Sequence, residues 1–238
     1  MSSLRGLIFD VDGTLAETEE GHRQAFNEVF AAFAIPWHWA PDHYRELLRV
    51  TGGRERMLHH ARAHDPHRLA AIEADIAALH SAKNQRYAAW VEASGGALRP
   101  GVRRLIDEAR ASGLSLAIAT TTSRANVEAL LISAFGAEGP ALFTAIVCGE
   151  DVRRKKPDPE VFTLALERLA LRPQACIAFE DSRNGLLAAR AANLAVIVTP
   201  SLYTAHEDFA GATLLARDFD HAIEGRPLTL ETLAALPR

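Results

Sequence analysis

The feature that most restricts this chain's fold is where its strands are missing. An apolar stretch at residues 4 to 10 reads as a β-strand, but from Thr18 to Ala93 no comparable strand follows. That span has helical spacing instead, as in Phe26, Val29, Phe30 and Phe33, with further helical stretches around Leu47, Met57, Leu69 to Leu79 and Tyr87 to Val91. After Ser94-Gly95-Gly96 strands and helices alternate. Apolar strands are expected at 114–120, 143–148, 175–179 and 194–198, with helices from Pro100-Gly101 to Arg110 and at 125–135, 159–169 and 184–192, Asp158 capping the third. This pattern predicts an α/β fold: a Rossmann-like parallel sheet core at 1–16 and 94–238, with an inserted helical cap at 17–93. The residues beyond about Tyr203 carry no clear pattern.

A chain of 238 residues accommodates both parts. Its 48% apolar content and formal charge of −4 describe a soluble globular protein rather than a nucleic-acid-binding surface. No apolar run approaches a membrane span, and Met1-Ser2-Ser3 leads into the first strand without a signal peptide, so a cytoplasmic address is expected. A monomer is the default expectation, with no sequence feature that bears on oligomeric state. Cys148 and Cys176 both lie in apolar strands and read as buried, reduced and structural. Of 26 basic residues only Lys83, Lys155 and Lys156 are lysine. Such sparing use suggests positions that need a compact ammonium.

The chemistry is concentrated at strand ends. Asp10 and Asp12, in Phe9-Asp10-Val11-Asp12-Gly13-Thr14, stand two apart where the first strand gives way to a turn. There they can converge on one small volume. Close carboxylates ask for a shared cation, and oxygen donors without thiol or imidazole favour Mg²⁺. Asp-Gly is also ordinary hairpin chemistry, but the polar Ala16-Glu17-Thr18-Glu19-Glu20 that follows offers no second strand.

With DxDGT in place, the chain resembles the haloacid dehalogenase-like phosphatase superfamily, and three further motifs match in order. Thr120 ends the strand Leu116 to Ala119 and suits a phosphate oxygen; Lys156 lies in Lys155-Lys156-Pro157; Glu180 and Asp181 end the strand at Phe179. The resemblance implies Asp10 as nucleophile, Asp12 as general acid and base, Thr120 and Lys156 as catalytic partners, and Mg²⁺ held by Asp10, Asp12, Glu180 and Asp181. The runs Leu15-Ala16-Glu17-Thr18-Glu19, Thr51-Gly52-Gly53-Arg54-Glu55 and Thr120-Thr121-Thr122-Ser123 are similar to CbbY-type members. That subgroup removes the C1 phosphate of xylulose-1,5-bisphosphate, an inhibitor of Rubisco in carbon fixation, to leave xylulose 5-phosphate. The partner implied is a phosphorylated sugar, contacted by Glu17, His22, Thr51, Gly52, Gly53, Arg54, Lys83, Thr121, Ser123 and Arg124.

Arg54 would equally serve a β-phosphoglucomutase-like mutase, and another small-metabolite phosphatase, such as one for phosphoglycolate, uses the same chemistry. A phospho-receiver or sugar-phosphate binding module is the non-enzymatic reading, although receivers are shorter and lack a helical insertion. No P-loop occurs. His60 and His64 have metal-pair spacing but no accompanying glutamate of an HExxH motif, and are expected to be solvated.

Overall fold

The structure, a computed structural model, describes residues 4–237. Met1 to Ser3 and Arg238, which belong to the expected core segments, lie outside the described residues. Six parallel strands form one sheet in the order β3-β2-β1-β4-β5-β6: β1 Gly6–Phe9, β2 Ser115–Ala119, β3 Ala145–Val147, β4 Cys176–Glu180, β5 Ala195–Val198 and β6 Leu214–Leu215. The strands from β1 to β5 are apolar almost throughout because helices cover both faces of the sheet. These helices are α5 Val102–Ala111, α6 Arg124–Phe135, α7 Glu160–Leu169, α8 Arg183–Ala191 and the short α9 Leu230–Ala235. One apolar cluster joins Leu7 and Phe9 to Leu105, Leu130 and Phe179; another joins Ile8 and Ala178 to Phe162 and Leu186.

Between β1 and α5 the chain forms four α-helices: α1 Glu19–Ala32, α2 Pro41–Leu47, α3 Gly53–His64 and α4 Leu69–Ser94, the last two joined by a 3-10 turn at Pro66–Arg68. They have a core of their own, built from Phe26, Phe30, Trp39, Tyr44, Met57 and Leu79. The end of α4 departs from this, since Tyr87 and Val91 pack into the cluster that covers the sheet. The long helix therefore belongs to both packing units. Gly95 and Gly96 end it at positive φ, 72° and 57°. The outgoing and returning connections then lie side by side: Ala16 pairs antiparallel with Leu98, and Arg99 N–H donates to Leu15 C=O at 2.8 Å.

Element ends differ from the sequence reading by a residue or two. Pro159 takes the cap position of α7, while Asp158 Oδ1 accepts the Glu160 N–H at 3.0 Å from one residue earlier. The unpatterned tail supplies the edge strand β6 and the helix α9, whose Thr229 and Thr232 form a capping box. Both cysteines are buried and free.

Candidate active site

The strand order reverses at β1, with β2 on one side and β4 on the other, and ligands of open α/β sheets bind above the carboxyl ends at such a switch point. Asp10 follows β1, Thr120 follows β2, Glu180 ends β4 and Asp181 follows it. The Phe9↔Phe179 register, continued by the Asp10 N–H donating to Phe179 C=O at 3.0 Å, sets Asp10 beside Glu180. Lys156 enters from the β3–α7 connection. Its ammonium donates to Asp10 Oδ1 at 2.5 Å, Glu180 Oε1 at 2.6 Å and Ala119 C=O at 2.9 Å.

Asp10, Glu180 and Asp181 are all buried, and one carboxylate oxygen of each lies within 4.8 Å of the others. Burial raises the Asp10 carboxyl, Lys156 opposes the rise and Glu180 adds to it, leaving it pushed up to about 8. Burial and then the neighbouring Asp10 and Glu180 carboxylates hold Asp181 well above its ordinary range. Burial disfavours the Lys156 ammonium, but Asp10 and Glu180 more than offset this and raise it. When all three carboxyls are ionised, they leave against the one ammonium a surplus of negative charge equal to one divalent cation, and such an ion would offset the repulsion that raises Asp10 and Asp181. An all-oxygen donor set of this kind fits a hard ion.

Asp12 is placed differently. Its Oδ1 accepts from Thr18 Oγ1 at 2.6 Å and lies 2.9 Å from His22 Nε2, and His22 Nδ1 is 2.5 Å from Lys83 Nζ. Burial pushes Asp12 up, but His22 and then Thr18 outweigh it and hold the carboxyl well below the usual range. Burial lowers Lys83 to about 7 against the attraction of Asp12. The Asp12 carboxylate was expected among the cation's ligands, yet it lies outside the three-acid cluster because Thr18 and His22 hold it.

The cleft above these groups has a volume of about 270 Å³, the scale of a small-metabolite pocket. Of the residues expected to touch substrate, His22, Thr51, Gly52, Gly53, Arg54, Lys83, Thr121 and Ser123 line it. Ser123 Oγ is buried there without a hydrogen-bond partner, so it is free to meet a ligand oxygen. Thr51 Oγ1 donates to Lys156 C=O, bringing the α2–α3 connection down onto the site.

Glu17 and Arg124 are not in the lining. Glu17 pairs with Arg99 at 3.3 Å and accepts from Leu202 N–H, while Arg124 is held by Asp151 at 2.8 Å. His60 is buried rather than solvated, edge-on to Trp37 and Trp39.

Other residues that shape the site carried no sequence signal. Arg99 donates to Gly13 C=O, to Thr199 C=O at 2.6 Å and to Pro200 C=O at 2.9 Å, tying the loops after β1 and β5 together. Thr204 Oγ1 donates to Asp181 C=O at 2.7 Å and lies 3.1 Å from Asp181 Oδ2, fixing that carboxylate.

Comparison with known proteins agrees with this geometry. A family model described as haloacid dehalogenase-like hydrolase matches residues 4–193. Protein CbbY of Rhodobacter capsulatus is 54% identical over 211 residues, 88% of this chain and 91% of that one. A crystal structure of a mutant CbbY from Rhodobacter sphaeroides in complex with xylulose-(1,5)bisphosphate is 46% identical with a TM-score of 0.84, covering 94% of this chain and 100% of that one. A β-phosphoglucomutase from Clostridium difficile shares the fold, with a TM-score of 0.75 at 20% identity over 90% of this chain and 91% of that one. The chain belongs to the haloacid dehalogenase-like hydrolases, on their CbbY branch.

Proposed function

We propose that this chain is a Mg²⁺-dependent phosphatase that removes the C1 phosphate of xylulose-1,5-bisphosphate, leaving xylulose 5-phosphate. The observation that carries the reading is the Asp10 carboxylate held against Lys156 at 2.5 Å, within reach of Glu180 and Asp181. The ligand in the Rhodobacter sphaeroides CbbY structure supports the choice of sugar. We read residues 17–93 as a cap that selects the substrate and the remainder as the catalytic core.

Asp10, Glu180 and Asp181 would hold Mg²⁺, which when bound offsets phosphate charge. The Asp10 carboxylate attacks phosphorus, forming an aspartyl-phosphate as the bond to the C1 oxygen breaks. Lys156 neutralises charge between nucleophile and phosphoryl group. Asp12 gives a proton to the departing sugar oxygen, then takes one from the water that hydrolyses the Asp10–phosphate bond. Asp12 is held ionised in the resting arrangement, so it must gain a proton as the anionic substrate approaches. The contacts Lys83–His22–Asp12 form a route for that proton. Thr120, Thr121 and Ser123 offer hydroxyls and Arg54 a guanidinium to phosphate oxygens in the cleft they line.

With Mg²⁺, inorganic phosphate should appear from xylulose-1,5-bisphosphate at least about 100-fold faster than from β-glucose 1-phosphate, a preference of roughly 3 kcal/mol in the transition state. Equal rates, or isomerisation without phosphate release, would assign the chain to the mutases instead.

A further inference from the structure

Away from the cleft, α2 and α3 bring three imidazoles together. His43 lies on α2, while His60 and His64 stand one turn apart on the same face of α3. His43 Nε2 is 3.2 Å from His60 Nδ1, and one ring nitrogen of each of the three lies within 4.8 Å of the others. The His60 ring is buried edge-on to Trp37 and Trp39, with centroids 4.6 and 5.4 Å away, so packing fixes its direction. His43 is half-buried and His64 exposed, which leaves one side of the cluster open to water. The adjacent Asp65 carboxylate is already taken by Trp37 Nε1 at 3.0 Å and Arg68 at 3.2 Å.

The geometry points to a binding site for one borderline-soft divalent cation of the Zn²⁺ class, held by His43, His60 and His64 with a fourth position for water. Two nitrogens bound tetrahedrally at about 2.0–2.1 Å stand roughly 3.4 Å apart, close to the spacing already present between His43 and His60. Imidazole donors suit Zn²⁺, Ni²⁺ and Cu²⁺ and discriminate against Mg²⁺, so this site and the carboxylate cluster would not compete for the same ion. A cation here joins α2 to α3 across the connection that carries Thr51 to the Lys156 carbonyl. It would therefore order one wall of the cleft from behind.

The test is titration of the full chain with Zn²⁺ against a chromophoric chelator, in millimolar Mg²⁺ so that the carboxylate cluster is occupied. One equivalent should bind and shift the ring-nitrogen NMR signals of these three histidines. His43→Gln and His64→Ala, both outside the cleft lining, should each weaken binding on the order of a hundredfold while leaving melting in chelator near the parent value. Undiminished Zn²⁺ affinity in both variants overturns the site, as does failure of the parent to bind Zn²⁺ in the presence of Mg²⁺.

Discussion

Lys156 is one ammonium shared by two buried carboxylates, so its removal should be felt twice. Lys156→Met leaves Asp10 and Glu180 facing each other without compensation, and loss of one partner from a buried ion pair costs about 3–5 kcal/mol. Urea unfolding should show that loss, and phosphate release should fall to background. Asp10→Asn has the opposite balance. It removes a charge that burial and Glu180 already disfavour, so its melting temperature should equal or exceed the parent's, with unchanged circular dichroism, while turnover disappears. An Asp10→Asn protein that retains turnover would remove Asp10 from the nucleophilic role.

At the scale of elements, the first turn of α8 is pressed against the end of β4. Ser182 caps the helix by accepting the Gly185 N–H at 3.1 Å, and a Cβ on Gly185 would stand 1.9 Å from the Glu180 carboxyl carbon. Glycine to alanine within a helix ordinarily stabilises by up to about 1 kcal/mol. Here Gly185→Ala should destabilise by about 1–3 kcal/mol in denaturant titration, and it should weaken Mg²⁺ activation by displacing Glu180. What the sequence makes legible follows the same geography. Asp10, Thr120, Glu180 and Asp181 could be found because a strand's apolar run marks its own end, and parallel register does the rest. Arg99 and Thr204 gave no such sign, since their partners are backbone carbonyls and a carboxylate more than 20 residues away in the chain. His60 was misread for a related reason: i, i+4 spacing shows which histidines share a helix face, but the tryptophans that bury that face come from an earlier connection. The tail escaped because its strand is only two residues long.

Across the whole molecule, the helical block reaches the sheet half through Tyr87 and Val91 of α4 and through polar contacts: Glu55 with Lys155 at 2.9 Å, Asn184 with the Arg49 carbonyl at 3.0 Å, and Tyr203 with Glu20 at 2.5 Å. The block also contains two histidines with lowered pKa, His60 at about 4 and His80 at about 3, both chiefly through burial. In the unfolded chain each takes its proton near pH 6.5. The unfolded state thus binds more protons between that pH and the folded values, and stability present above pH 6.5 is lost as pH falls toward 4. In chelator, melting temperature should drop over this window, with a shallower slope in His60→Gln. The paired Ala16 and Leu98 give the molecule one further property. Because the excursion from the sheet leaves and re-enters at a single point, relatives can exchange it there without changing the strand order, provided the incoming segment also supplies the Tyr87 and Val91 packing and the Thr18 and His22 contacts to Asp12. Exchange of the intervening segment between relatives that share those residues should then transplant substrate preference and leave the phosphoryl chemistry behind.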